Sequence, residues 1–180
     1  MAKYCILEHK HRYSAWAASR AASTKTCRFD VNTGKRIIEV VGLHHLLLNA
    51  DLLPSSTEMD ASHKLWCETA IEAATAHGLT GFGHGVAAKL INVYLKGAFV
   101  CGGLEMHERV VELHPPIDSL LLDELYKNDV GGRKKTWALA RKRRWSKFDA
   151  DQYQEVIGSI RLAMNGRPLW QIEEHWRGYQ

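Results

Sequence analysis

The sequence predicts an all-α fold, a compact multi-helix domain that takes up residues 1–180 as one unit. Apolar residues recur at intervals of three and four in nearly every segment, which is typical of helices with one buried face. Glycine and proline residues stand where these segments end. Alternation with a period of two is scarce, and only "CRFDV" (27–31) could form a short extended piece.

The first helices are predicted by composition and by the residues that interrupt them. "YSAWAASRAAST" (13–24) is rich in alanine, the residue with the highest helix propensity. Residues 33–54 carry two apolar runs that are separated by Gly42 and stop before Pro54. We therefore expect two short helices in this segment.

Residues 59–78 should form a longer helix, because their apolar side chains follow helical spacing. Asp60 or Ser62 is expected to cap its N-terminus, since both residue types accept hydrogen bonds from free backbone N–H groups there. Gly78 is expected to end it, because glycine readily adopts the left-handed conformation that closes a helix.

The helix that begins at about Val86 has two kinds of face. Lys89, Asn92 and Lys96 fall together on one side of it. Two interpretations of this side are open: an ordinary solvated face, or a face on which Lys89 points toward bound DNA. The residues of the other side recur at helical spacing and are expected in the core: Ala87, Leu90, Ile91, Tyr94, Leu95 and Ala98.

The C-terminal part of the chain predicts helices over residues 117–126, 149–166 and 168–178. Pro168 suits the first turn of the last of these, where a missing N–H has no cost. The sequence thus continues the all-α pattern to its end.

Asp118 stands at the start of the 117–126 helix, directly after a pair of prolines that ends any preceding helix. Aspartate is common at such a position and stabilises a helix by about 1 kcal/mol. The helix N-terminus also keeps a carboxylate ionised, which an enzyme needs in order to stabilise a developing cation. A capping role and a catalytic role are both open for Asp118.

The glycine-rich stretch "LTGFGHG" (79–85) joins two predicted helices and allows three interpretations. The first is a helix end followed by a flexible loop. The second, a dinucleotide-binding loop, is excluded because that loop follows a β-strand. The third is a helix-hairpin-helix over about residues 60–99, in which backbone N–H groups and a helix N-terminus contact a DNA phosphate.

The net charge of +4 is unevenly distributed along the chain. The basic segment, residues 127–147, contains nine lysines and arginines against one acid, Asp129, and places Trp137 and Trp145 among them. A charge run is often only a solvated face, but this density favours a polyanion, with nucleic acid the first candidate. Its basic residues are Lys127, Arg133, Lys134, Lys135, Arg141, Lys142, Arg143, Arg144 and Lys147.

The remaining composition predicts a cytoplasmic protein without a metal site or a membrane span. The four cysteines are widely spaced and form no CxxC pair, which is typical of inert thiols in a core. The histidines at 9 and 11 and at 44 and 45 lack the further ligands that a metal site needs. No signal peptide and no apolar stretch of about 18 residues is apparent.

The order of a glycine hairpin, a lysine in the next helix and a proline-flanked aspartate resembles the helix-hairpin-helix DNA glycosylases. "LTGFG" (79–83) is similar to the hairpin of that superfamily, Lys89 to the lysine that some members carry, and "PID" (116–118) to the aspartate motif. "HPPID" is most similar to the archaeal 8-oxoguanine glycosylase branch. Lys89 lies deeper in its helix, and further from Asp118, than in the common branch.

The resemblance implies a monomeric enzyme without a cofactor that flips a base out of double-stranded DNA and excises it. It implies Asp118 and Lys89 as catalytic residues. The hairpin residues Gly81, Gly83, His84 and Gly85, together with Lys96 and the basic residues 133–144, would contact DNA. The candidates for a pocket that stacks the base are Trp66, Phe82, Tyr94 and Trp137, although each is also typical of a core.

Two other functions are compatible with the same sequence. One is a non-enzymatic helix-hairpin-helix DNA-binding protein in which Lys89 and Asp118 are structural. The other is a helical interaction module, or a toxin-like RNA-binding protein, that uses the basic segment alone. Only the glycosylase interpretation requires Lys89 and Asp118 to line a common pocket.

Overall fold

The computed structural model describes residues 4–179, and these form helices and connecting segments without a β-strand. The predicted all-α class is confirmed. The short extended piece expected over residues 27–31 is not a strand; it leads into a helix that Asp30 caps through the N–H of Thr33. The α-helices of the described chain are α1 (Ile6–Ala22), α2 (Val31–Val41), α3 (Leu43–Leu46), α4 (Met59–Ala76), α5 (His84–Leu95), α6 (Ser119–Lys127), α7 (Lys134–Arg143) and α8 (Ala150–Met164).

Other helical turns complete the described chain. Helix α5 runs on into a π-helical stretch, Lys96–Leu104. The predicted helix over residues 168–178 is a 3-10 helix, Leu169–His175, rather than an α-helix. Further 3-10 turns are Ala50–Leu52, Val130–Gly132 and Trp145–Lys147.

Helix α5 is the central element, and α1, α4, α8 and the Trp145–Lys147 turn all pack against it. The face predicted to lie in the core is buried, as expected. The opposite face was expected to meet solvent or DNA, and this is wrong: Lys89 is 6% exposed and Asn92 is 1% exposed. Because neighbours cover α5 on all sides, its polar side chains must find partners within the protein.

The helix ends follow the sequence in some places and depart from it in others. Gly42 and Gly78 adopt positive φ and end α2 and α4, as predicted. The predicted caps of α4 are wrong, because the helix begins at Met59 without a side-chain cap. Asp60 and Ser62 both lie inside the helix, and the carboxylate of Asp60 has other partners.

One helical stretch of the described residues, His84–Leu104, is long and apolar enough by length and composition to cross a membrane. The core helix of a soluble protein passes the same test, and 67% of the 18 residues that meet it are buried inside the fold.

Asp60 connects α4 to α8 and to the segment before α6. Its carboxylate accepts hydrogen bonds from His114 at 2.9 Å, from Gln154 at 2.6 Å and from both terminal nitrogens of Arg161 at 2.9 and 3.2 Å. The hydrogen bond from His114 and the contacts with Arg161 outweigh partial burial and hold the pKa of Asp60 well below its usual value. The ionised carboxylate therefore stabilises the junction of these three elements.

Replacing Asp60 by asparagine should lower the free energy of unfolding by about 1–2 kcal/mol at neutral pH, a value reduced by solvent screening of a partly exposed group. Because the folded pKa lies below the unfolded one, this stabilisation is full above about pH 4 and is lost as pH falls through the folded pKa. Denaturant unfolding of wild type and Asp60→Asn at pH 7 and pH 3 should show a smaller difference at pH 3. Asp51→Asn, at an exposed carboxylate, is the control that should change little, and an Asp60→Asn protein of wild-type stability at pH 7 contradicts the assignment.

Candidate functional site

A pocket of about 560 Å³ lies between α1, α5 and the start of α6, and the C-terminal 3-10 helix closes one side of it. This volume is within the range of about 300–1,000 Å³ that is usual for small-molecule sites. The lining residues are Tyr13, Ala17, Ala21, Lys89, Val93, Lys96, Gly97, Cys101, Pro116, Asp118, Ser119, Leu120, Trp145, Glu173 and Trp176.

Lys89 and Asp118, the two predicted catalytic residues, both line this pocket and contact each other. Lys89 Nζ donates to Asp118 Oδ2 at 2.9 Å. The lysine side chain is 7% exposed and the aspartate side chain 19% exposed, so the pair lies in the pocket wall with the carboxylate nearer to solvent. The structure thus brings together two residues that are far apart in the sequence.

Asp118 is held by three hydrogen bonds that fix both carboxylate oxygens. Oδ1 accepts from the backbone N–H of Leu121 at 2.9 Å, which is the N-cap of α6 that the sequence predicts. Oδ2 accepts from Lys89 and, at 3.0 Å, from Nε1 of Trp176. Asp118 can therefore cap α6 and take part in the pocket at the same time, because Oδ1 serves as the cap and Oδ2 contacts Lys89 and Trp176.

The pair has unequal electrostatic surroundings. Burial lowers the pKa of Lys89, although the charge of Asp118 opposes this shift. Burial raises the pKa of Asp118, but the charge of Lys89 and the N–H of Leu121 outweigh it, and the pKa is lowered overall. The resting pair is therefore ionised. Because the pKa of Lys89 is lowered, its ammonium group loses a proton more readily than that of a free lysine.

A second ion pair lies in the same wall. Lys96 forms an ion pair with Glu173 and stands 5.8 Å from the ring centroid of Trp176. Burial raises the pKa of Glu173, against the opposing charge of Lys96. Lys96, predicted to contact the DNA backbone, has its ammonium group beside Glu173 of the C-terminal 3-10 helix in the pocket wall, and its contact with DNA stays a prediction.

The aromatic lining differs from the prediction. Tyr13, Trp145 and Trp176 line the pocket, and the Trp145 ring centroid is 5.5 Å from Lys89 Nζ. The sequence could have indicated Trp145 as a site residue, since it stands among the basic residues of the basic segment. No local pattern identifies Tyr13 or Trp176, because only the packing of α1 and of the C-terminal segment brings them to the pocket.

The four aromatic residues predicted for a base pocket lie elsewhere. Phe82, Tyr94 and Trp137 are buried in the core, at most 6% exposed. Trp66 is partly buried against the core, beside the ring of His63. The predictions for Phe82, Tyr94 and Trp137 are wrong, because these side chains pack into the core. Trp66 does not line the pocket, and its role stays a prediction.

The glycine hairpin does not offer the row of free amides expected for a phosphate. The N–H of Gly83 donates to the carbonyl of Gly81 at 3.1 Å, and that of Gly85 donates to the carbonyl of Phe148 at 3.1 Å. His84 is only 9% exposed. Gly81 is exposed and has a φ of +76°, which explains the glycine there. The predicted phosphate contacts through the amides of Gly83 and Gly85 are therefore wrong, because both donors are already bonded.

The basic segment covers α7 and the turns on either side of it. Three of its charges are neutralised locally, by ion pairs of Lys127 with Glu124, Arg141 with Asp123 and Arg143 with Glu155. Lys134 stands over the ring of Tyr126 at 5.2 Å. Among the described residues, no acidic side chain pairs with Arg133, Lys135, Lys142, Arg144 or Lys147.

These charges adjoin the pocket. A second cavity, of about 290 Å³, is lined by Arg141 and Arg144 and also by Ser119 and Trp145. Ser119 and Trp145 line the large pocket as well. A polyanion on the basic segment would therefore pass the mouth of the pocket that holds Lys89 and Asp118.

Comparison of the chain with protein-family models, with curated proteins and with solved structures finds no match.

Gly85 sets the position of Trp145 in the pocket. A Cβ atom at Gly85 would lie 1.9 Å from the carbonyl oxygen of Trp145, and this neighbour is backbone that cannot rotate away. Gly85→Ala should therefore displace the 145–148 segment and lower the free energy of unfolding by about 1–3 kcal/mol. Denaturant unfolding and tryptophan fluorescence would measure both effects.

The matched control is Gly83→Ala. It adds a Cβ with nothing within 4 Å, at a backbone conformation that alanine also adopts. Equal stability of Gly85→Ala and Gly83→Ala would contradict the close approach of the segment.

Proposed function

We propose that this protein is a DNA glycosylase that takes a damaged or modified base into the pocket of Lys89 and Asp118 and releases it. The observation that carries the proposal is the 2.9 Å contact between Lys89 Nζ and Asp118 Oδ2 in one pocket beside a basic surface. A base inside a duplex cannot be attacked, so an enzyme of this kind must flip the nucleotide out. Repair of damage and attack on modified invader DNA both use this chemistry.

The contact supplies the two groups that the reaction needs. Proton transfer from Lys89 Nζ to Asp118 Oδ2 gives a neutral amine, whose lone pair attacks C1′ of the sugar. The N–C1′ bond to the base breaks, and its electron pair leaves with the base, which takes up the proton from Asp118 and so restores the carboxylate. The carboxylate stabilises the positive charge that develops on the sugar. The C1′–O4′ bond of the sugar ring then breaks, O4′ takes up a proton from the amine nitrogen, and the amine is left as a protonated Schiff base.

The walls of the pocket suit a planar ligand. Trp145 and Trp176 present aromatic surface there, and stacking of a base on an aromatic side chain contributes about 1–3 kcal/mol. The basic segment would bind the phosphates on either side. The proposal also includes the assignment of α4, the glycine turn and α5 as a helix-hairpin-helix. In this proposal the hairpin makes fewer contacts with DNA than the sequence predicts, because the amides of Gly83 and Gly85 are already bonded.

Borohydride reduction during turnover tests the lysine. Wild type incubated with duplexes that carry a panel of damaged or modified bases should release a base and be trapped as a protein–DNA adduct. Lys89→Gln should lose the adduct while it keeps a hydrogen bond to Asp118. Ser119→Ala, at a neighbouring lining residue outside the chemistry, should retain both base release and trapping.

Asp118→Asn tests the acid in the same assay. An asparagine still caps α6, but the sugar cation loses its counter-charge, so base release should fall by at least about 100-fold while DNA affinity stays unchanged or rises. Retained activity in a folded Asp118→Asn protein would remove the assignment of the acid. Base release without trapping would restrict Lys89 to a non-covalent role, and no release from any duplex would favour a DNA-binding protein without enzymatic activity.

Neutral variants of the basic segment test how DNA is held. Lys135→Gln, Lys142→Gln and Arg144→Gln together should weaken binding to all DNA sequences, because these exposed charges have no acidic partner. The slope of log affinity against log salt should shrink by about 0.9 for each phosphate contact that is lost. Lys127→Gln, at a residue already paired with Glu124, is the control, and an unchanged slope in the triple variant would place the segment away from DNA.

A further inference from the structure

Three potential metal ligands from α4 and α5 lie together on the side of α5 away from the large pocket. His63 and Cys67 are one turn apart on α4, and His84 is the first residue of α5. One ligand atom from each lies within 4.8 Å of the others. The expectation of no metal site was based on the histidines at 9 and 11 and at 44 and 45. It did not include His63, Cys67 or His84.

The hydrogen bonds of Asn92 fix the tautomer of His63. The Asn92 side-chain N–H₂ donates to the carbonyl of Pro115 at 3.0 Å and to the hydroxyl of Tyr153 at 2.8 Å. Since a carbonyl only accepts, this settles which amide atom is nitrogen. Asn92 Oδ1 therefore accepts from Nε2–H of His63 at 2.8 Å.

Nδ1 of His63 therefore carries no proton, and its lone pair accepts a hydrogen bond from the thiol S–H of Cys67. A ring N–H held by an oxygen acceptor, with the unprotonated nitrogen left to bind the ion, is the arrangement found in metal-binding histidines. His63 is therefore preorganised as a ligand through Nδ1.

The separation of the two ligand atoms on α4 suits a tetrahedral ion. His63 Nδ1 and Cys67 Sγ are 3.7 Å apart. Bond lengths of about 2.05 Å to nitrogen and 2.3 Å to sulfur at a tetrahedral angle give a separation of about 3.6 Å. His84 has no side-chain hydrogen bond to another described residue, and its ring nitrogens are therefore available.

We propose that His63 Nδ1, Cys67 Sγ and a ring nitrogen of His84 bind Zn²⁺. Two imidazoles and a thiolate are ligands that zinc favours over magnesium or calcium. His63 and His84 also line a cavity of about 290 Å³, from which a water molecule can supply the fourth ligand. Zn²⁺ binding replaces the thiol proton of Cys67, which is released to solvent.

The other role that a cysteine beside a histidine could have, nucleophilic catalysis, is disfavoured here. Cys67 is fully buried, whereas reactive cysteines are partially exposed to solvent. The bound ion would join α4 to α5 across the glycine turn. No residue lines both this cavity and the pocket of Lys89 and Asp118, so the zinc site does not depend on the proposed glycosylase function.

Co²⁺ titration of reduced, chelator-treated protein tests the site, because a thiolate bound to Co²⁺ gives a charge-transfer absorption band. Wild type should develop this band up to one Co²⁺ per chain and lose it when Zn²⁺ is added. Cys67→Ala should show no band. Cys27→Ala, which removes another buried thiol, is the matched control and should behave as wild type.

His84→Gln provides a second variant at the edge of the cavity, in case Cys67→Ala does not fold. Its Zn²⁺ affinity, measured by competition with a chromophoric chelator, should fall on the order of 100-fold or more, since even loss of a partner outside the ligand set costs about 10–100-fold. Zn²⁺ should also raise the melting temperature of wild type and Cys27→Ala, but not of His84→Gln. Absence of the band at one equivalent of Co²⁺, a band that persists in Cys67→Ala, or wild-type Zn²⁺ affinity in His84→Gln would each overturn the proposal.

Discussion

Helix α5 is almost entirely covered by other parts of the chain, and this constraint determines where its polar side chains find partners. A buried charge or amide without a partner is costly, so each polar residue of α5 requires a specific group from another element. Lys89 has Asp118, and Asn92 has His63, Tyr153 and the carbonyl of Pro115. The pairings fix α4, α6 and α8 around the central helix.

The Trp145–Phe148 segment is the second element that defines the site. Its backbone lies directly on Gly85, where the absence of a side chain permits the contact, and its carbonyl at Phe148 accepts the hydrogen bond that a free hairpin would offer to a ligand. The same segment carries Trp145 into the pocket and joins the basic segment to its mouth. A single packing contact thus has two consequences. It occupies the N–H of Gly85, which could otherwise bind an anion, and it places Trp145 in the pocket wall.

The two sides of α5 have different chemistry. On one side, Lys89 and Lys96 meet carboxylates in an open pocket with aromatic walls, which suits a charged reaction centre beside a planar ligand. On the other side, histidine and tyrosine side chains around Asn92 form a buried network of neutral groups, next to the thiol of Cys67. On the pocket side each ammonium group is paired with a carboxylate, and on the other side the polar groups around Asn92 bond to one another, because an unpaired buried charge is costly.

By itself, the sequence determined the helices, several of their ends and one cap. Apolar spacing, Gly42, Gly78 and the aspartate at the start of α6 are local signals, because helix geometry repeats within a few residues. The chain order of Lys89 and Asp118 identified both as candidates, but only the packing of α5 against the start of α6 placed them 2.9 Å apart. The tertiary structure also decided which aromatic side chains are buried and which line the pocket, and it brought His84 to the His63 and Cys67 of another helix. Helical periodicity tells which residues share a face, whereas the partner of that face is set by contacts between segments distant in the chain.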